Sequence, residues 1–177
     1  MKRLFLFLTL LTAAGAYAQN DPNDVITKHN GETIECEVIR VGEYTVEFHY
    51  VNETAENTLS KYAIASIKHG KSGRVEEVSP KIQINDPKRD FDRVIVLEDV
   101  NYTAGLKREG EIRGKTSFIN MRSFSGGDKK ALEKLKRAAA EMGCQFILIT
   151  SEKSAVGAHS NALGGTQSVK TGIAYKY

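Results

Sequence analysis

The stretch DKKALEKLKRAAAEMGCQFILIT, residues 128–150, decides the fold class, because its hydrophobic period changes midway. Leu132, Leu135, Ala138, Ala139 and Met142 recur at intervals of three and four, one face of a helix. Lys129, Lys130, Glu133, Lys134, Lys136, Arg137 and Glu141 fill the wet side. Asp128 reads as the N-cap, and Gly143 stands where a helix end favours a left-handed residue. Residues 145–150 then read as a strand, with Phe146 and Leu148 on one face and Ile147 and Ile149 on the other. A helix beside a strand that is apolar on both faces predicts an α+β fold.

Working outward, residues 93–98 form a second strand apolar on both faces, with Val94, Ile95, Val96 and Leu97. Residues 109–119 alternate, with Gly110, Ile112, Gly114, Thr116 and Phe118 on one face. Residues 151–167 are small and polar, and read as a loop. In the closing strand, residues 168–177, Val169, Thr171, Ile173, Tyr175 and Tyr177 point inward while Lys170 and Lys176 point out. Residues 93–177 are therefore expected to form a ββαββ domain with one helix on a sheet. One helix covers one face, so the other must bury against the first half or a second copy.

Residues 80–92, with Pro80 and Asn85-Asp86-Pro87, read as a linker. Before it, residues 24–79 are a run of short strands. The first, 25–29, leads into Asn30-Gly31, a dipeptide suited to a two-residue hairpin turn. In residues 33–41, Ile34, Cys36 and Val38 point one way, and Glu35, Glu37 and Ile39 the other. Tyr44, Val46, Phe48 and Tyr50 share one face of the next strand. Strands at 57–60, 64–68 and 74–78 follow, with a single helical turn at 61–63 and a glycine-bounded turn at 70–73. Short strands at this spacing predict a small all-β, barrel-like domain.

Three resemblances attach to these residues. The strand order, with Tyr62-Ala63-Ile64-Ala65-Ser66-Ile67 as closing segment, resembles the small Sm-like and SH3-like barrels. Sm proteins bind RNA, but this half is acidic, so the likeness implies architecture only. The pattern carried by Asp24, Ile26, Gly31, Ile34 and Val38 is similar to the N-terminal β domain of exported proteins of Bacteroides-type bacteria. The segment from Ala131 through Thr150, with the strand Thr171-Gly172-Ile173-Ala174-Tyr175, resembles the RcsF-like and YbjQ-like ββαββ domains. It departs from them at Cys144 and Gln145 after the helix glycine. What these likenesses imply is fold.

The chain opens with Lys2 and Arg3, an apolar run at residues 4–11, and Ala16-Tyr17-Ala18 before Gln19. This is the pattern of a signal peptide over residues 1–18, cleaved between Ala18 and Gln19. The expected location is periplasmic or secreted, with no membrane span in the mature chain. Beyond the signal, 23 basic residues face 22 acidic ones, a net of +1. Residues 19–80 carry −5 and residues 81–177 carry +6. Opposite signs favour docking of the halves or association of copies. Nucleic acid is not an expected partner, because the basic half lacks interleaved aromatics.

No catalytic signature is present. His29, His49, His69 and His159 show no metal-ligand spacing and read as surface histidines. No metal or cofactor is expected. Cys36 and Cys144 are the two cysteines. Export permits a bridge between them, but apolar surroundings favour two buried free thiols. Cys36 paired with a histidine as nucleophile is disfavoured by its inward direction. Residues 123–128 before the helix read as a turn and cap. In the 151–167 loop, His159 and Asn161 are the candidate binding residues. The expectation is thus a non-enzymatic, exported envelope protein acting as a binding or interaction module. Its partner is another envelope protein or a second copy. The alternative is a small-ligand or metal-binding periplasmic protein.

Overall fold

The computed structural model describes residues 23–116, 124–156 and 166–177. The signal stretch with Ala18 and Gln19, and the loop residues His159 and Asn161, lie outside the described residues. The fold is mixed α+β. Its strands are β1 (Asp24–Lys28), β2 (Thr33–Val41), β3 (Thr45–Tyr50), β4 (Glu56–Ser60), β5 (Ile64–Lys68), β6 (Val75–Glu77), β7 (Ile95–Leu97), β8 (Lys107–Lys115), β9 (Phe146–Val156) and β10 (Thr166–Lys176). Its helices are the short α1 (Pro87–Asp90) and the long α2 (Phe124–Glu141). The first sheet runs β4-β3-β2-β1-β5-β6 and the second β7-β9-β10-β8. Among the described residues every pairing is antiparallel except β7 with β9.

Alternation builds the first sheet. Ile26, Ile34, Cys36, Val46, Phe48, Leu59, Ile64 and Ile67 form one buried cluster. Tyr44 and Tyr50, which share a face with Val46 and Phe48 by alternation, are 38 % and 40 % exposed. Tyr44 precedes β3 in the turn and Tyr50 ends the strand, so neither is held to its alternation. The β1–β2 connection also differs from a two-residue turn. Lys28 N–H donates to Glu32 O (2.8 Å) and Gly31 N–H to Lys28 O (3.0 Å). Gly31 alone of the pair has positive φ, 91°. Asn30 instead uses Oδ1 to accept Glu32 N–H (3.0 Å). The turn is the longer form with a left-handed glycine.

The sheet is rolled but open. A flat sheet would hold β4 and β5 roughly 19 Å apart, four strand spacings. Yet the 3-10 turn Lys61–Ala63 joins them directly. The sheet must curl to bring those ends together. Bulges between Val38 and Arg40 and between Thr27 and Lys28 supply local bends. No ladder joins β4 to β6 among the described residues, so a closed barrel is not formed.

In the second sheet α2 packs on one face, with Ile112, Leu135, Ala139, Ala140, Cys144, Ile147 and Ala174 in its core. The buried helix face centres on Ala131, Leu135 and Ala139, while Met142, expected inside, is 43 % exposed. The helix approaches closely: a Cβ on Gly114 of β8 would lie 2.1 Å from Ala131 O, so small residues define the contact there. Met142 stands one residue past the end of α2, and its methyl group reaches the sheet beside Gly110. The helix also begins earlier than expected. Asp128 lies inside α2 and its carboxylate accepts from Ser168 Oγ rather than capping the helix. Lys170, expected outward, is 7 % exposed and pairs with Glu152 at 2.7 Å.

The opposite face buries Leu97, Phe146 and Tyr175, covered by Tyr62, Ile82, Tyr102, Leu106 and Tyr177. The cover comes from the same chain, and only Tyr62 belongs to the first half. Phe146 lies 5.4 Å from Tyr62 and 5.3 Å, edge-on, from Tyr177. The segment read as a linker is itself packed. Ile82 joins this cover, while Phe91 enters the helix-side core beneath Arg137, 3.7 Å above its ring. Further ties join the halves: Ser60 N–H to Ala104 O (2.9 Å), and Tyr44 stacked on Tyr102 at 4.6 Å; Ile82 N–H to Tyr177 Oη (2.9 Å) ties the connecting segment to the second half.

Candidate functional site

A cleft of about 580 Å³ opens at one end of the first sheet. Three elements line it: the start of β1 with Asn23 and Asp24, the middle of β2 with Cys36, Glu37 and Val38, and the β5–β6 turn with His69, Lys71, Ser72 and Arg74. The register explains the opening. β1 begins at Asp24, opposite Cys36, so beyond Cys36 β2 has no neighbour on that side among the described residues. The Asp24 carboxylate fills part of the gap. It accepts Val38 N–H at 3.0 Å and Gly70 N–H at 2.8 Å, tying β2 to the turn.

The turn is itself braced. His69 N–H donates to Arg74 O (2.8 Å), Gly73 N–H to His69 O (2.8 Å), and Arg74 N–H to Ser72 Oγ (3.2 Å). Arg74 Nη2 reaches Glu76 Oε2 at 2.8 Å and His69 Nε2 at 3.1 Å. His69 Nε2 also lies 3.2 Å from Glu76 Oε2. One ring nitrogen cannot accept from Arg74 and donate to Glu76 at once, so only one of the two contacts is a hydrogen bond at a time. The His69 hydrogen bond, followed by the Arg74 charge, holds the Glu76 carboxyl below its ordinary range.

Cys36 forms part of the wall and is fully buried. Burial, then the charge of Asp24, pushes its thiol up to about 11. The fold brings Cys36 and His69 to the same cleft but makes no hydrogen bond between them. The thiol is held protonated at neutral pH, opposite to an activated nucleophile. Cys144 is free and buried in the helix-side core, its thiol raised by burial and then by Glu109. The two cysteines occupy separate clusters, and no bridge joins them.

The histidines divide. His49 Nδ1 lies 3.0 Å from Ala55 O. His29 is half-buried: its Nε2 meets Ser79 Oγ at 3.0 Å and its ring lies 4.7 Å from Tyr177. Burial, then the Lys81 charge, lowers its pKa. Among the described residues, no three His, Cys, Asp or Glu side chains group closely enough to hold a metal ion. Sequence reading missed the cleft. Its signal was the cationic turn His69-Gly70-Lys71-Ser72-Gly73-Arg74, which alternation cannot connect to Asp24.

Chemically, the cleft presents Lys71, Arg74 and His69 beside Asp24 and Glu37, hydrogen-bonding groups of both signs on a braced frame. No family model matches the chain, and a comparison with curated proteins finds no match either.

Proposed function

We propose that the protein is exported and serves the cell envelope as a non-catalytic binding module, with the cleft as its binding surface. The observation that carries this reading is the cleft's construction. Asp24, His69, Ser72 and Arg74 in its lining are braced by hydrogen bonds before any ligand arrives, which lowers the entropic cost of binding. Export is supported by Lys2, Arg3, the apolar run and Ala16-Tyr17-Ala18. In keeping with this, no helix among the described residues is long and apolar enough to cross a membrane. A second reading, a small-ligand-binding protein, is favoured by the cleft volume, which falls within the roughly 300–1,000 Å³ of such sites. In the same reading the first half is an opened relative of the small Sm- and SH3-like barrels. The second half is a ββαββ domain, supported by the order β7, β8, α2, β9, β10.

The test is a photo-crosslinker placed at Ser72 on the cleft, or at Lys136 on the helix, in the native host. A discrete envelope adduct from Ser72, absent from Lys136 and lost with Arg74→Glu, is the expected result. Equal adducts at both positions, or none at Ser72, refute the envelope-module reading. In the latter case, a small mass retained in native mass spectrometry and lost with Arg74→Glu selects the second reading.

A further inference from the structure

Two sheet faces carry matched triangles of opposite charge. On the first sheet, Glu35 and Glu37 stand two residues apart on the outward face of β2, both exposed. Glu37 pairs with His49 and His49 with Glu56, so Glu56 lies in the same row two strands away. On the second sheet, Arg113 and Lys115 stand two residues apart on β8, both exposed. Lys115 pairs with Val169 and Val169 with Lys153, so Lys153 lies in the same row two strands away. Residues 113 and 115 alternate with Ile112 and Gly114, which meet the helix side. The basic triangle therefore lies on the face away from α2, beyond the patch covered by Tyr62 and Leu106.

Both triangles have arms of roughly 7 Å along a strand and roughly 10 Å across two strand spacings. Like charges at those distances lie within about one Debye length at 0.1 M salt and repel. Yet none of the six takes part in an ion pair among the described residues, whereas Arg40–Glu47, Lys107–Glu109 and Lys170–Glu152 elsewhere on the two sheets do. Glu111 shares the basic face and Lys68 the acidic one, and each leaves a net excess of its neighbours' sign.

We infer that the basic face of the second sheet docks the acidic face of the first sheet on another copy of this chain. A copy offers both faces, so each protomer gives one and receives one. This inference does not depend on the cleft being a binding site.

Sedimentation equilibrium of the protein as its native host accumulates it tests the pairing. Wild type should associate at about 20 mM salt, with Kd weaker by about tenfold or more at about 300 mM as screening shortens. Arg113→Glu with Lys153→Glu makes both faces acidic and should abolish association. Glu35→Lys with Glu56→Lys makes both faces basic and should do the same. Mixed in equal amounts, the two double variants should pair again, because each then supplies what the other lacks. That rescue also shows both variants are folded. A wild type that is monomeric at low salt overturns the inference. So does a mixture that stays monomeric while circular dichroism shows native folding. Co-sedimentation of a monomeric wild type with phosphatidylglycerol vesicles would assign the basic face to lipid and equally overturn it.

Discussion

Phe146→Ala is the perturbation that most directly probes how the two halves are joined. The side chain is fully buried, in a cluster with Leu97 and Tyr175, and meets Tyr62 and Tyr177 through ring contacts. Removing a buried phenyl ring costs about 3–5 kcal/mol, including the cavity left behind. A domain of this size has only roughly 5–15 kcal/mol in total, so the loss is large. At about 2–4 °C per kcal/mol, Tm should fall by about 6–20 °C. Loss alone would not show that Tyr62 matters. A cycle with Tyr62→Ala does, because an aromatic pair couples by roughly 0.5–1.5 kcal/mol beyond area burial. Urea unfolding of wild type, both single variants and the double variant supplies the four free energies. A Phe146→Ala cost below about 1 kcal/mol would refute burial beneath the first half. Additivity within about 0.3 kcal/mol would refute the Tyr62–Phe146 contact.

Other expectations can be checked separately. Cys36 should react with thiol reagents at about pH 8 only as fast as the protein opens, since a thiol near 11 is about one-thousandth ionised there; rapid native-state labelling would contradict it. His29 has a folded pKa below its ordinary 6.5, so the unfolded chain binds protons first on acidification. Its contribution is therefore present above about pH 6.5 and lost as pH falls through the lowered value. The urea midpoint should fall less steeply with acid in His29→Gln than in wild type, and parallel profiles would exclude His29 as a source of the slope. Gly114→Ala should cost about 1–3 kcal/mol or more by driving Ala131 and α2 off the sheet, read as a lower urea midpoint at constant m. N-terminal sequencing from the native host should begin at Gln19, and an intact Met1 would count against export.

Local patterning carried most of the elements. Alternation of Ile34, Cys36 and Val38 placed Cys36 inside, and the apolar faces of residues 145–150 marked a strand buried on both sides. The departures arise where an element ends or where tertiary contacts overrule period. Met142 keeps the helical stripe but falls one residue past the end of α2, where its methyl meets Gly110 and the rest stays exposed. Lys170 reads as outward, yet Glu152 holds it against the helix side. Tyr44 keeps the strand period but stacks on Tyr102 across the junction. The cleft was illegible for a related reason. Asp24 and the turn 69–74 are far apart in sequence, and only the β1–β5 pairing brings Gly70 beneath the Asp24 carboxylate.

The order β7-β9-β10-β8 has a kinetic consequence. β7 and β8 are successive strands in the chain yet occupy opposite edges of their sheet. β7 must wait for β9, and β8 for β10, the two strands made last. A chain synthesised from its N-terminus can zip β1, β2 and β3 through short hairpins while the second sheet still lacks its middle. During that interval Val94, Ile95 and Leu97 have no partner strand and stand open to wrong pairing. The second sheet is thus the place where a holding chaperone would act on the newborn chain, and where delayed release of its last thirty or so residues would lead to aggregation.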